Sequence, residues 1–204
     1  MLLDKDANKD GIMEALASMR QHMAAAAGSG NDLAVVHFSG HGAMVDGELY
    51  LLPYDVKARN DASIKASGLK ADDLKHELHA LAKSGRVLVL LDACHSGATT
   101  MNGAAVAIDA DALRLGLAEG NVTVLTSSKG TETSEGRAIW QHGAFTEALL
   151  EAFKDPRADI NHNKLINPAG LANYLTNRVP ELTDGHQTPG MEVRFNTTLF
   201  ASGS

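Results

Sequence analysis

Two stretches decide how this chain folds: "LAVVHFSGHG", residues 33–42, and "RVLVLLDACHSG", residues 86–97. Each opens as a short aliphatic run bounded by polar or Gly-rich segments, the pattern of a strand buried on both faces of a parallel sheet. Each ends in residues able to do chemistry: Ser39-Gly40-His41-Gly42 in the first, Asp92-Ala93-Cys94-His95 in the second. The chain's single cysteine therefore stands where a run of valines and leucines stops, although an inert thiol is normally buried as a small hydrophobe.

Between and around these strands the chain alternates. Ile12, Leu16, Met19 and Met23 follow helical spacing and predict an amphipathic helix from Asp10 to about Ala26. "GELYLLPYD" reads as a strand and "ADDLKHELHALA" as a helix with Leu74, Leu78 and Leu81 on one face. A helix around Asp111 to Glu119, the strand "NVTVLTSS", a helix around Phe145 to Phe153 and another opened by Asn167-Pro168 follow, Asn as N-cap and Pro at the first helical position. A strand near Glu192 to Phe195 closes the order, and Asn161 to Lys164 reads as a flexible loop without a role. Strands alternating with helices give an α/β fold. With no repeat or linker, residues 1–204 read as one domain, long enough to bury roughly 70% of the unfolded surface.

Composition removes several function classes. A net charge of −7 without a dense basic run speaks against a nucleic-acid surface, and would steer a cationic substrate favourably. No apolar stretch approaches the roughly 20 residues that span a bilayer, so no membrane partner is expected. One cysteine cannot close an internal disulfide, and "MLLDKDANKD" lacks the basic and apolar regions of a signal peptide, so the expected compartment is the cytoplasm. One cysteine with scattered histidines also gives no zinc-ligand spacing.

In open α/β sheets ligands bind beyond the carboxyl ends of the strands, and a right-handed crossover would bring both motifs to one edge, although 53 residues separate His41 from Cys94. There the sequence resembles the caspase-like cysteine peptidases, in particular the metacaspase and bacterial orthocaspase type. "VVHFSGHG", "VLVLLDACHSG", "LYLLPYD", "VLTSS", "HGAFTEALLEAF" and "VPELTDGHQTP" carry the resemblance over most of the chain. It implies a caspase-hemoglobinase fold, a mostly parallel sheet flanked by helices on both faces.

The resemblance implies Cys94 as the nucleophile forming an acyl-enzyme and His41 as the acid/base partner. The backbone N–H groups of Gly42 and Cys94 would form the oxyanion hole. It places Asp92 in the specificity pocket, where aspartate accompanies cleavage after Arg or Lys, and Ser39 at a second pocket position; a carboxylate there pairs with a cationic side chain and repels an acidic one, the other reading of Asp92 being a structural hydrogen bond to nearby loops. His37 reads as a core or cleft-wall residue, and His95 as structural. Glu132 and Glu135 read as solvated loop residues, and Arg114 as an ordinary surface arginine.

Family members carry a strand and helix ahead of the segment resembling "LLDKDANKDGI", so either a preceding segment or a second chain is expected to complete the sheet, or the sheet is rearranged. No cofactor is required by this reading. Calcium has two candidate sites. "DKDANKDGI" mimics an EF-hand start, but position twelve would be Ala17 and the helix begins too early, so an EF-hand is rejected. Asp72 and Asp73, with Asp55 as a third, match a carboxylate pair that binds calcium in some metacaspases, yet two Asp residues opening a helix are also explained by the helix dipole. Two other functions stay open: a non-enzymatic caspase-like binding module, and a cysteine-histidine hydrolase or transferase acting on a non-peptide acyl group.

Overall fold

The structure is a computed structural model that describes residues 2, 4–26, 32–93, 110–129, 136–137 and 142–201. The first helix, α1 (Lys9–Ala25), starts where Asn8 accepts the backbone N–H of Gly11 at 2.8 Å, and it buries Leu16 and Met23. Strand β1 (Leu33–Val45) then turns through Asp46-Gly47 into β2 (Glu48–Leu52). Both turn residues have positive φ, 52° and 78°, the mirror-image turn that matches strand twist in a two-residue hairpin. A short helix α2 (Asp61–Ser67), closed by a reciprocal capping box between Asn60 and Ser63, leads to β3 (Leu69–Lys70) and α3 (Ala71–Ala82). Strand β4 (Arg86–Ala93) follows, then α4 (Ala110–Leu117) and β5 (Val122–Thr126).

The remaining elements are shorter. Strands β6 (Gly136–Arg137) and β7 (His142–Gly143) pair with each other ahead of α5 (Ala144–Ala152). Strand β8 (Leu165–Ile166) precedes α6 (Pro168–Leu182), and β9 (Gly190–Glu192) and β10 (Phe200–Ala201) end the chain's regular structure. The main sheet has six strands in the order β3-β2-β1-β4-β5-β9, and β8 and β10 form a small pair of their own. Strands β1, β4 and β5 are parallel at its centre, while β2 and β9 run against them; β3, antiparallel to β2, runs with the centre. The fold is α/β with mostly parallel strands.

Period-two alternation along the central strands sorts the core into two layers. Ala34, Val87, Val89, Leu91, Val122 and Val124 face α1, α3 and α4, against Leu16, Leu74, Leu78, Leu81, Leu113 and Leu117. Leu88, Leu90 and Leu125 face α5 and α6, against Phe145, Leu149, Leu171 and Leu175. Each fully buried aliphatic side chain contributes about 1.5–3 kcal/mol. Among the described residues no helix is long and apolar enough to cross a membrane.

Several expectations change. Strand β1 is open along one face beyond Leu33: Val35 is 50% exposed, and His37, Ser39 and His41, which share its parity, are exposed too. Helices α5 and α6 cover β4 and β5 on that side, and of β1 their layer meets Leu33 at its start. The closing strand lies at Gly190–Glu192, earlier than Glu192 to Phe195, because Arg194 N–H leaves the ladder to donate to the side chain of Thr123 at 2.9 Å. Arg114 is no surface arginine: only 12% of its side chain is exposed, and besides pairing with Asp111 of its own helix at 2.7 Å it ties α4 to β9 through Glu192 at 3.3 Å and the Met191 carbonyl at 3.0 Å. The 161–164 segment is pinned by buried Asp159, whose carboxylate accepts from Asn163 N–H at 3.2 Å and Lys164 N–H at 2.6 Å.

Candidate active site

His41 sits where β1 changes partner. From Leu33 to Gly40 the strand runs in register with β4, ending at the pair Gly40–Ala93, the residues immediately before His41 and Cys94. From His41 to Val45 it pairs with β2 instead. The Ser-Gly-His-Gly motif is therefore part of one continuous 13-residue strand and not a loop beyond a strand end. Alternation of the antiparallel ladder then fixes the direction of a backbone group. Val45 and Glu48 close the two-residue turn as a hydrogen-bonded pair, so counting outward makes Gly42–Leu51 a non-hydrogen-bonded pair. The N–H of Gly42 points away from β2, toward the side of the sheet on which β4 lies. Cys94 and His95 lie outside the described residues, as do Glu132 and Glu135.

Asp92, the last but one residue of β4, is 2% exposed and registers with Ser39. Its carboxylate points to the α5 side. Oδ2 accepts from the Thr146 hydroxyl at 2.6 Å, whereas Oδ1 is buried and accepts no hydrogen bond. Gly143 and Thr146 make room for it: a Cβ at Gly143 would come within 2.9 Å of Oδ2. Gly143 is the N-cap of α5 and gives that helix no side-chain cap, so the Asp92 carboxylate fills the place near a helix N-terminus where negative charge is stabilised. Sequence reasoning singled out Asp92 from its motif. It missed Thr146 and Gly143, whose role depends on a contact across 54 positions that no local pattern announces.

His37 stands on the same face of β1, one rung before Ser39, with Leu90 as its register partner. Burial on its protein side lowers its pKa, and the carboxylate of Asp92 acts in the opposite direction. It therefore stands on the open face of β1 and is not a core residue. At the start of α5, His142 Nε2 faces Glu147 at 3.2 Å.

The calcium candidates do not gather here. Asp72 lies in the first turn of α3, 80% exposed, and faces Lys70 at 3.8 Å. Asp73 is in the same turn, and Asp55 follows β2 in a turn. Among the described residues no three His, Cys, Asp or Glu side chains come together as a metal site.

A sheet with a parallel centre thus sets His41 of β1 one residue beyond the Gly40–Ala93 register pair, beside the end of β4 that carries the buried Asp92. The family model described as "Caspase domain" matches residues 2–200, so the chain belongs to the caspase domain family, membership that indicates cysteine peptidase activity on protein substrates. Among solved structures, a protein from Geobacter sulfurreducens is similar over 100% of this chain and 82% of its own, with a TM-score of 0.61 at 18% identity. Caspase-1 from Spodoptera frugiperda matches 91% of this chain and 69% of its own, with a TM-score of 0.48 at 16% identity. No curated protein matches the chain.

Proposed function

We propose that this chain is a cysteine endopeptidase of the metacaspase or orthocaspase type that cleaves after Arg or Lys. The observation that carries the specificity is Asp92: a buried carboxylate with one oxygen anchored by Thr146 and the other without a hydrogen bond. A buried carboxylate oxygen left without a donor is costly. A guanidinium or ammonium group entering beside Ser39 would supply the donor and the opposite charge together.

In this mechanism the Cys94 thiolate attacks the carbonyl carbon of the residue whose side chain occupies the Asp92 pocket. The N–H groups of Gly42 and Cys94 stabilise the oxyanion; the outward direction of the Gly42 N–H supports its part, and such donors contribute roughly 3–4 kcal/mol each. His41, as imidazolium, protonates the departing amine as the C–N bond breaks and the thioester forms. Water then attacks the thioester, giving its proton to His41 and releasing the acid and the thiolate. No step requires a cofactor. The lone thiol fits a reducing compartment, the cytoplasm.

The partner reading rests on β1. Its Leu33–Gly40 half pairs with β4 on one side, and no described strand pairs with its other edge, because β2 takes only His41 to Val45. An unpaired edge in the middle of a sheet is a template for another strand. We assign it to a segment preceding this chain or to a second chain.

Labelling with peptidyl acyloxymethyl ketones ending in Arg or Asp tests the proposal. Intact-mass and peptide analysis should find the arginyl reagent on Cys94 in the wild type and in neither Cys94→Ala nor, at equal dose, Asp92→Ala. Preferential labelling by the aspartyl reagent would overturn the assignment of Asp92.

A further inference from the structure

Asp92 has a second neighbour whose chemistry the mechanism does not use. His37 lies on the strand adjacent to Asp92, on the same face and one rung away. With strands about 4.8 Å apart and about 3.3 Å per residue, their Cα atoms are about 8 Å apart, close enough for an imidazole to turn toward the carboxylate. Among the described residues, the other titratable groups near this face include His41, about 13 Å further along β1, and the His142–Glu147 pair at the start of α5. Of these groups, Asp92 is the charge that pulls on the His37 ring.

We infer that His37 is a specificity-determining residue: when protonated it occupies the charge of Asp92 and excludes a cationic substrate side chain, and when neutral it leaves Asp92 open. This inference rests on the reading of Asp92 as a cation site. The site would thereby gate itself. Burial holds the His37 pKa low, so the imidazole is neutral and the pocket open near neutral pH, and the pocket closes on acidification. Linkage makes the effect reciprocal: a cation bound at Asp92 must lower the pKa of His37 by the same factor that protonated His37 weakens the cation. For two charges on adjacent strands at a half-open site, that factor is about tenfold, or one pKa unit.

Agmatine, a guanidinium probe that is not hydrolysed, tests this apart from catalysis. Its dissociation constant, measured by calorimetry at pH 8 and pH 5, should rise several-fold on acidification in the wild type and less than twofold in His37→Gln. The His37 ring titration, followed by NMR, should shift down by about one unit with saturating agmatine, and should also move down in Asp92→Asn, which removes the charge that raises it. In turnover, acidification should raise KM for Arg substrates far more in the wild type than in His37→Gln, while the kcat profile stays common to both. Agmatine binding that is equally strong at both pH values in the wild type would overturn this inference alone. Absence of agmatine binding at either pH would overturn the cation site and the inference together.

Discussion

Replacing Thr146 by Val keeps a β-branched side chain of the same shape on α5 while deleting the hydroxyl that donates to Asp92 Oδ2 at 2.6 Å. In the native structure the carboxylate is 2% exposed and its Oδ1 already accepts nothing, so the substitution leaves both oxygens of a buried acid without donors. A hydrogen bond to such a group is worth about 1.5–3 kcal/mol, and no cavity adds to the loss because a methyl takes the place of the hydroxyl. For a chain of this length, about 2–4 °C of melting temperature corresponds to each kcal/mol, giving a drop of about 3–12 °C. Thermal unfolding followed by circular dichroism measures it. The same substitution in an Asp92→Ala background should cost little, since the acceptor has gone, and the difference is the coupling of the pair. A Thr146→Val protein that melts within 1 °C of wild type, by about the precision of such scans, would refute the view that Thr146 anchors Asp92. An equal loss in both backgrounds would refute it too.

Three further outcomes follow from the structure. Leu78, fully buried between α3 and the sheet, should cost about 2–5 kcal/mol on truncation to Ala, read from urea unfolding. Asp155, whose pKa is held down to about 2 chiefly by its hydrogen bonds from Arg157, stabilises the fold above its ordinary carboxylate value. That contribution is lost as pH falls toward about 2, so Asp155→Asn should flatten the loss of stability between pH 4 and pH 2 in denaturation curves. Gly143→Ala would set a methyl 2.9 Å from Asp92 Oδ2, and should raise KM for Arg substrates several-fold by displacing the carboxylate, as steady-state kinetics would record.

Much of the architecture was legible in the sequence, for a physical reason that differs by element. Helix α3 and strand β4 were legible at both ends, because Leu74, Leu78 and Leu81 keep one helical face and Val87 to Leu91 form an unbroken aliphatic run. Strand β1 was misread at its end, since Ser-Gly-His-Gly carries loop residues and only the exchange of β4 for β2 as partner keeps it extended to Val45. Its exposed face was equally hidden, because Val35 and His37 show what the strand could bury and not what covers it. Helix α2 escaped notice at seven residues, too few for a period to register. Asp92 stands out by its motif, but the hydroxyl of Thr146 and the missing Cβ of Gly143, which leave its carboxylate one anchored and one open oxygen, belong to tertiary structure alone.

The central claim is cleavage after a basic residue by Cys94 with His41. Hydrolysis of matched fluorogenic peptides ending in Arg, Lys or Asp, by wild type, Cys94→Ala and His41→Ala, with and without calcium, tests it most directly. The account predicts release from the Arg and Lys peptides that both substitutions abolish, and none from the Asp peptide. Cleavage that persists in Cys94→Ala, or a well-folded wild type that cleaves none of the three, would contradict it.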